Sequence, residues 1–206
     1  MDKIKLITDS ASDILAEHAD KYNIHIMPIP IAVDGQSFLE RVDFNAVQFY
    51  DILEKAKEIP VTSHITPVAF MDAYERFYAQ GYNHIICVTI NSKGSTMYEA
   101  AQLGRQLFFD DNPDAVGKVE IHVIDSLTYS VGYGYGVTQA ARMAQEGASI
   151  EEVLAYLDDY FDTIEVYLTI YSLEYAKKSG RIRAAAAFVG ELLGLRPLMK
   201  IKNGEI

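Results

Sequence analysis

Short apolar runs alternate with longer segments of helical spacing along most of the chain. Largely apolar runs at 4–7, 84–90 and 119–124 predict strands that are buried on both faces, as strands of a parallel sheet are. Each run is followed by a polar loop and then by apolar residues at the spacing of a helix. This alternation predicts an α/β protein whose parallel sheet has right-handed connections.

The segment 24–33 also favours a strand, but Pro28 and Pro30 withhold backbone donors from a ladder. We therefore expect it at a sheet edge or in an irregular crossing, with a turn at Asp34-Gly35. Helix signals are present in further segments: 13–22, 45–56, a helix that opens at Thr66-Pro67, one that ends near 108, and two that end at 146 and 162.

The order of elements changes after residue 162. Residues 1–162 predict a parallel-sheet N-terminal α/β domain, and 163–206 predict the start of a second, smaller α/β domain. Its predicted elements are strands at 164–170 and 198–201 and helices at 173–178 and 184–193. Asn203-Gly204 is a hairpin-turn signal near the last residue, so we expect the second domain to be truncated at its C-terminus.

Four loops that follow strand-like runs are rich in Ser and Thr. The carboxyl ends of parallel strands share one sheet edge, where helix N-termini also point, so hydroxyls and N–H groups can converge on one anion. Each hydroxyl taken singly also fits a helix cap. The set predicts a carboxylate or phosphate receptor, with these candidate residues: Asp9, Ser10, Thr62, Ser63, His64, Ser92, Ser95 and Ser126.

The formal net charge of -11 opposes binding to nucleic acid or to anionic membranes, which both reward clustered Lys and Arg. No apolar run approaches the roughly 20 residues of a membrane span, and the start of the chain lacks the apolar stretch of a signal peptide. These features favour a cytoplasmic protein. One dense basic cluster contrasts with the acidic chain and is either a solvated face or a contact for a negative partner: Lys177, Lys178, Arg181 and Arg183.

Catalytic and cofactor motifs are weak in this sequence. It has no Gly-x-Ser-x-Gly elbow, and His64 is the only histidine inside a hydroxyl-rich loop. The glycines at 132, 134 and 136 lack the spacing of a dinucleotide fingerprint, which favours close helix packing instead. No His or Cys pair has the spacing of metal ligands along the chain, so we expect neither a metal nor a cofactor.

Five stretches together resemble the DegV family, a family of bacterial fatty-acid-binding proteins that includes the acyl-carrier subunit of fatty acid kinase. The resemblance covers the whole chain in consistent order. The stretches are KLITDSASD at 5–13, TS-x-x-x-P at 62–67, INSKGSTMYEA at 90–100, VIDS at 123–126 and SLEYAKKSGRI at 172–182.

The resemblance implies a long-chain fatty acid held between two domains, with its carboxylate bound by hydroxyls. Thr62 matches the threonine of the family's TS-x-x-x-P loop, and Ser63 lies beside it. Ser95 best matches the serine of the family's Leu-Ser-Gly-Thr-Tyr loop. Because this chain reads Gly-Ser-Thr-Met-Tyr at 94–98, the serine that binds the carboxylate is either Ser92 or Ser95.

The resemblance further implies that the protein is a carrier without catalytic residues of its own. A separate kinase subunit would supply ATP and phosphorylate the carboxylate, and Lys178 and Arg181 fall near its docking surface. An alternative from another class is a small-molecule hydrolase or phosphoryl-transfer enzyme that uses the same hydroxyl cluster. A regulatory protein that senses a metabolite is a third interpretation.

Overall fold

A computed structural model of the protein describes residues 2–170 and 198–206. The strands in this part of the chain are β1 Ile4–Asp9, β2 His25–Met27, β3 Pro30–Val33, β4 Gln36–Leu39, β5 Val61–Thr62, β6 His84–Thr89, β7 Glu120–Asp125, β8 Val166–Thr169 and β9 Leu198–Ile201. The helices are α1 Ala16–Lys21, α2 Ala46–Lys55, α3 Pro67–Ala79, α4 Met97–Asp111, α5 Val131–Gln145 and α6 Ile150–Thr163.

The main sheet is parallel and has the strand order β2-β1-β6-β7. Helices cover both of its faces, which explains why the central strand β6 is apolar at nearly every position. On one face Ile7 and Cys87 pack with Phe70 and other side chains of α3 and α4. On the other face Ile86 packs with Tyr133 and other side chains of α5 and α6. The predicted parallel α/β sheet is confirmed.

The proline-interrupted segment divides between two sheets. Its first part is β2, the edge strand of the main sheet, and its second part is β3. Strand β3 is the centre of a separate antiparallel sheet of order β4-β3-β5. The predicted turn at Asp34-Gly35 joins β3 to β4, and both of its residues have positive φ, 48° and 81°.

Helix α1 starts later than the sequence predicts. The polar residues before it form a short 3-10 turn, Ser10–Ser12, in which the Ala11 N–H donates to Asp9. Asp13 then adopts a left-handed conformation with φ of 52°, and the helix begins only at Ala16. The prediction of a helix from residue 13 was therefore wrong, because local side-chain bonds of Asp9 compete with helix formation. The predicted Thr66 cap of α3 is confirmed, since its Oγ1 accepts from the Ala69 N–H at 3.2 Å.

Strands β8 and β9 form a two-stranded antiparallel ladder in which Val166 pairs with Ile201. The Glu165 carboxylate bonds to Lys202 at 2.8 Å beside this ladder. Asn203 and Gly204 form the predicted turn with φ of 50° and 77°. The predicted helices at 173–178 and 184–193 and the basic cluster lie outside the described residues, and the domain division at 162 stays a prediction. In the described part of the chain, no helix combines the length and apolar character that crossing a bilayer requires.

The glycine-rich start of α5 is a packing surface, as its spacing predicts. A Cβ added to Gly134 would overlap the backbone carbonyl oxygen of Ser12. A Cβ at Gly136 would lie 2.6 Å from the ring of Tyr160. Because these positions have no side chain, α5 packs closely against the turn after β1 at Gly134 and against α6 at Gly136.

Replacing Gly134 by Ala should lower the free energy of unfolding by about 1–3 kcal/mol, the usual cost of overpacking. In a helix without a close neighbour at this position, the same change would raise the free energy of unfolding by about 1 kcal/mol. The sign of the change therefore shows whether Gly134 is in close contact with the turn. Urea denaturation measures it. The exposed Val131→Ala change on the same helix is the control and should stay within about 0.5 kcal/mol of the parent. A Gly134→Ala protein more stable than the parent would contradict the close approach.

Candidate functional site

A cavity of about 930 Å³ opens at the carboxyl ends of the strands. Its walls come from the loops after β1, β5, β6 and β7 on one side and from β8 and β9 on the other. The volume is within the usual range for sites that hold a small organic ligand. The cavity is therefore placed where ligands of open α/β sheets bind, outside the carboxyl edge of the sheet.

The four hydroxyl residues predicted to bind a carboxylate all line this cavity: Thr62, Ser63, Ser92 and Ser95. His64 lines it as well. The loop after β5 is held near α4 because the Ile65 N–H points to the Met97 sulfur at 3.4 Å. Residues some 30 positions apart in the chain thus face one space.

The loop at 91–96 is held in place by hydrogen bonds to the end of β7 and to the start of α4. Asp125 Oδ1 accepts the Ser92 N–H at 3.1 Å, which ties the loop to the end of β7. The Ser95 hydroxyl accepts the Met97 N–H at 3.3 Å at the start of α4. Ser92 and Ser95 are both on the cavity wall, so the structure leaves both available to a ligand.

The remaining candidates, Asp9, Ser10 and Ser126, are buried and are not among the residues that line the cavity. Asp9 accepts from the Ile90 N–H at 2.9 Å and from the Tyr133 hydroxyl at 2.5 Å. Burial raises the pKa of Asp9, whereas these hydrogen bonds act to lower it. The carboxyl group therefore joins the ends of β1 and β6 to α5.

Ser10 and Ser126 also make bonds inside the protein. The Ser10 hydroxyl donates to Glu40 and accepts the Ile29 N–H at 3.0 Å. The Ser126 hydroxyl donates to the Thr128 carbonyl at 3.2 Å. Their hydrogen-bonding capacity is used by neighbouring loops, so both residues brace the cavity from behind its wall.

Sequence reasoning missed Asn91, which is fully buried beneath the cavity wall. Its amide donates to the Tyr129 hydroxyl at 2.9 Å and to the Gly204 carbonyl at 3.0 Å, and its oxygen accepts the Lys93 N–H at 3.1 Å. One side chain thus joins the loop after β6, the loop after β7 and the turn after β9. Its place in a Ser-rich loop after a strand was the available signal.

The cavity wall has a polar part and an apolar part. No acidic side chain is among its described residues, while Lys93 and His64 are basic. Lys93 pairs with Glu205 at 2.6 Å. Apolar side chains form another part of the wall: Ile29, Ile90, Met97, Leu168, Ile201 and Ile206. The arrangement suits a ligand with an anionic group and an apolar body.

His64 and the serines share the cavity wall. In residues 2–170 and 198–206, no hydrogen bond joins His64 to any of the cavity serines. An activated serine needs a base within hydrogen-bond reach, and the hydrolase alternative stays a prediction.

The expectation of no metal site rested on spacing along the chain. In the fold, His84 and His122 lie on neighbouring strands with Glu120 between them, at the edge of the sheet opposite the cavity. The spacing of residues along the chain does not show which residues strand pairing brings together. This cluster is separate from the hydroxyl-lined cavity.

The fold and the cavity define an α/β protein with a hydroxyl-lined cavity at the carboxyl edge of its parallel sheet. A model of the DegV family, described as uncharacterised proteins, matches residues 3–206. The chain therefore belongs to the DegV family. A DegV domain-containing protein of Caldanaerobacter subterraneus subsp. tengcongensis is 34% identical over 206 residues, which is all of this chain and 70% of the relative.

Solved structures of the family have the same fold. A fatty-acid-binding DegV family protein from Thermus thermophilus matches 98% of this chain and 69% of its own, with a TM-score of 0.83 and 28% identity. A stearic-acid-binding protein from Eubacterium ventriosum matches 100% of this chain and 68% of its own, with a TM-score of 0.85 and 29% identity. Fatty acid binding is thus a property of structural neighbours in this family.

Replacing Asn91 by Ala should lower the free energy of unfolding by about 1–3 kcal/mol, because it leaves buried hydrogen-bonding groups without partners. Chemical denaturation measures the loss. Lys93→Ala is the control from the same loop, since an exposed ion pair contributes only about 0–1 kcal/mol. Equal stabilities of the two variants would contradict the bracing role of Asn91.

Proposed function

We propose that this protein binds one long-chain fatty acid in the cavity at the carboxyl edge of the sheet. The observation that carries the proposal is the division of the wall into a hydroxyl-rich part without acidic residues and an apolar part. The proteins from T. thermophilus and E. ventriosum that share the fold are described as binding a fatty acid and stearic acid.

Thr62 and Ser95 would hold the carboxylate, with Ser63 and Ser92 as the neighbouring donors. Hydroxyl hydrogen bonds to an ionised carboxylate are about twice as strong as bonds between neutral groups. The absence of acidic groups among the described wall residues avoids repulsion of the ligand's charge. Single substitutions at Ser92 and Ser95 would show which of the two serines makes the closer contact with the carboxylate.

The apolar part of the wall would take the hydrocarbon tail. Each buried methylene contributes about 0.8 kcal/mol, so a long chain gains more from tail burial than from the head group. Leu168 and Ile201 come from the β8–β9 pair, and Ile29 and Ile90 come from the main sheet side. The tail would therefore lie between the sheet and the β8–β9 ladder.

As a carrier, the protein would present the carboxylate to a separate kinase subunit. That kinase would transfer the terminal phosphoryl group of ATP to a carboxylate oxygen and form an acyl phosphate and ADP. The chain itself has no P-loop sequence, which supports ATP being held elsewhere. Lys178 and Arg181, two cations in an acidic chain, are the proposed docking residues.

The head-group assignment is tested with the Thr62→Ala/Ser95→Ala double variant and with Ser92→Ala. Losing hydrogen bonds to a charged group costs about 1.5–3 kcal/mol each, so the double variant should bind stearic acid at least about tenfold more weakly. Native mass spectrometry after loading measures the occupancy.

The exposed Ser37→Ala change is the matched control and should leave the occupancy unchanged. A double variant that keeps the lipid as well as the parent would show that Thr62 and Ser95 do not hold the carboxylate. A larger loss in Ser92→Ala than in Ser95→Ala would assign the second contact to Ser92.

The docking proposal is tested by reversing charge in Lys178→Glu/Arg181→Glu. Acyl-phosphate formation with the kinase subunit and ATP should fall by about tenfold or more, since like charges across an interface cost several kcal/mol. Lipid occupancy should persist. Lys118→Glu, an exposed charge reversal elsewhere, is the control. Unaltered acyl-phosphate formation in the double variant would contradict docking at these residues.

A further inference from the structure

Two histidines and one glutamate meet at the amino edge of the main sheet. His84 is the first residue of β6 and Glu120 is the first residue of β7. The parallel register pairs His84 with Glu120 and Ile86 with His122. Because side chains alternate along a strand, all three titratable residues lie on the same face of the sheet.

Their ligand atoms are spaced as in a metal site. Glu120 Oε2 lies 3.5 Å from His84 Nδ1 and 3.3 Å from His122 Nε2. One ligand atom from each residue lies within 4.8 Å of the others. Zinc bonds of about 2.0–2.2 Å in a tetrahedron place neighbouring ligands about 3.4 Å apart, so two of the separations already fit.

His84 has an unused buried nitrogen in this cluster. Its Nδ1 is shielded from solvent and has no hydrogen-bond partner in the described part of the chain. Its other nitrogen, Nε2, lies 3.7 Å from Asp2 Oδ1. A carboxylate behind a histidine, with the second ring nitrogen directed at the metal, is the usual outer-shell arrangement of zinc sites.

We propose that His84, Glu120 and His122 form a Zn²⁺ site, with Asp2 orienting His84. Two imidazole nitrogens and one carboxylate oxygen suit a transition metal and do not suit Mg²⁺ or Ca²⁺, which take oxygen ligands. Glu120 is 63% exposed, so the metal has an open path from solvent and a water completes the fourth position.

The charges around the cluster allow a divalent cation. Glu120 and Asp2 supply two negative charges, and the nearby Arg105 directs its guanidinium to the Ile121 carbonyl oxygen at 3.2 Å. The competing interpretation is a metal-free contact between Glu120 and protonated histidines. In that interpretation the 3.5 Å contact between Glu120 and His84 Nδ1 is an ion pair that does not form a hydrogen bond, whereas a metal bound at this buried nitrogen would use its lone pair.

The site lies a full strand length, about 20 Å, from the cavity. A bound ion would join the starts of β6 and β7 and, through Asp2, the start of β1. Binding to the folded protein alone raises stability by mass action. Zinc at about 100 times its Kd should raise Tm by about 5–11 °C. Lipid occupancy should not change, so this proposal stands or fails independently of fatty acid binding.

The test is isothermal titration of the chelator-treated protein with zinc chloride. The parent should bind one ion. The exposed Glu120→Gln change and the His122→Asn change should each weaken binding by more than about 100-fold, because losing a ligand costs more than losing an outer-shell partner. Asp2→Asn should weaken it by about 10-fold. His18→Asn, an exposed histidine on α1, is the control and should bind like the parent.

Urea denaturation of each variant without metal shows that it is folded, so a loss of binding reports the site and not unfolding. A Tm rise with zinc that disappears in Glu120→Gln supports the site. No zinc binding by the parent overturns the proposal. Binding within threefold of the parent in either Glu120→Gln or His122→Asn also overturns it, because the ion would then lie elsewhere.

Discussion

The parallel register of β1, β6 and β7 is the constraint on which the structure depends. It aligns Ile4 with His84 and His84 with Glu120, so that the strands start and end at common edges. The loops after these three strands then open at the carboxyl edge, where the hydroxyl-lined cavity lies. The starts of the same three strands meet at the opposite edge, where the histidines and Glu120 lie. This pairing pattern therefore places both chemical surfaces, and β5 and the β8–β9 pair complete the wall of the cavity.

Buried polar groups hold the carboxyl edge in shape. Asp9 joins β1, β6 and α5, and Asn91 joins the loops after β6 and β7 to the turn after β9. Burying a polar group without a hydrogen-bond partner costs free energy. When all of its hydrogen bonds are formed, the group makes the loops that it joins rigid. They leave the serine and threonine hydroxyls of the wall free to face a ligand, which is what a preorganised anion site requires.

The sequence predicted the features that depend on local pattern. The buried strand at 84–90, the capped start of α3 and the close packing of the 132–136 glycines all follow from spacing and residue type. It also gathered Thr62, Ser63, Ser92 and Ser95 into one set, and all four line the cavity, although the loop with Thr62 and Ser63 follows a strand of the antiparallel sheet and not of the parallel one.

Features that depend on contacts between residues far apart in the chain could not be predicted from the sequence. Asp9 and Ser10 look like ligand contacts in the sequence, but burial and bonds to distant residues make them braces. Asn91 looks like one more polar loop residue until its partner Gly204 is placed beside it. His84 and His122 become neighbours only through strand register. In each case the deciding contact joins residues far apart in the chain.

The central claim is that the cavity holds one long-chain fatty acid. Native mass spectrometry of the purified protein, followed by denaturation and identification of the released molecule, tests it most directly. The account predicts a fatty acid released at close to one per protein. A released ligand without an anionic head group and apolar tail, or a protein that takes up no stearic acid when it is supplied, would contradict it.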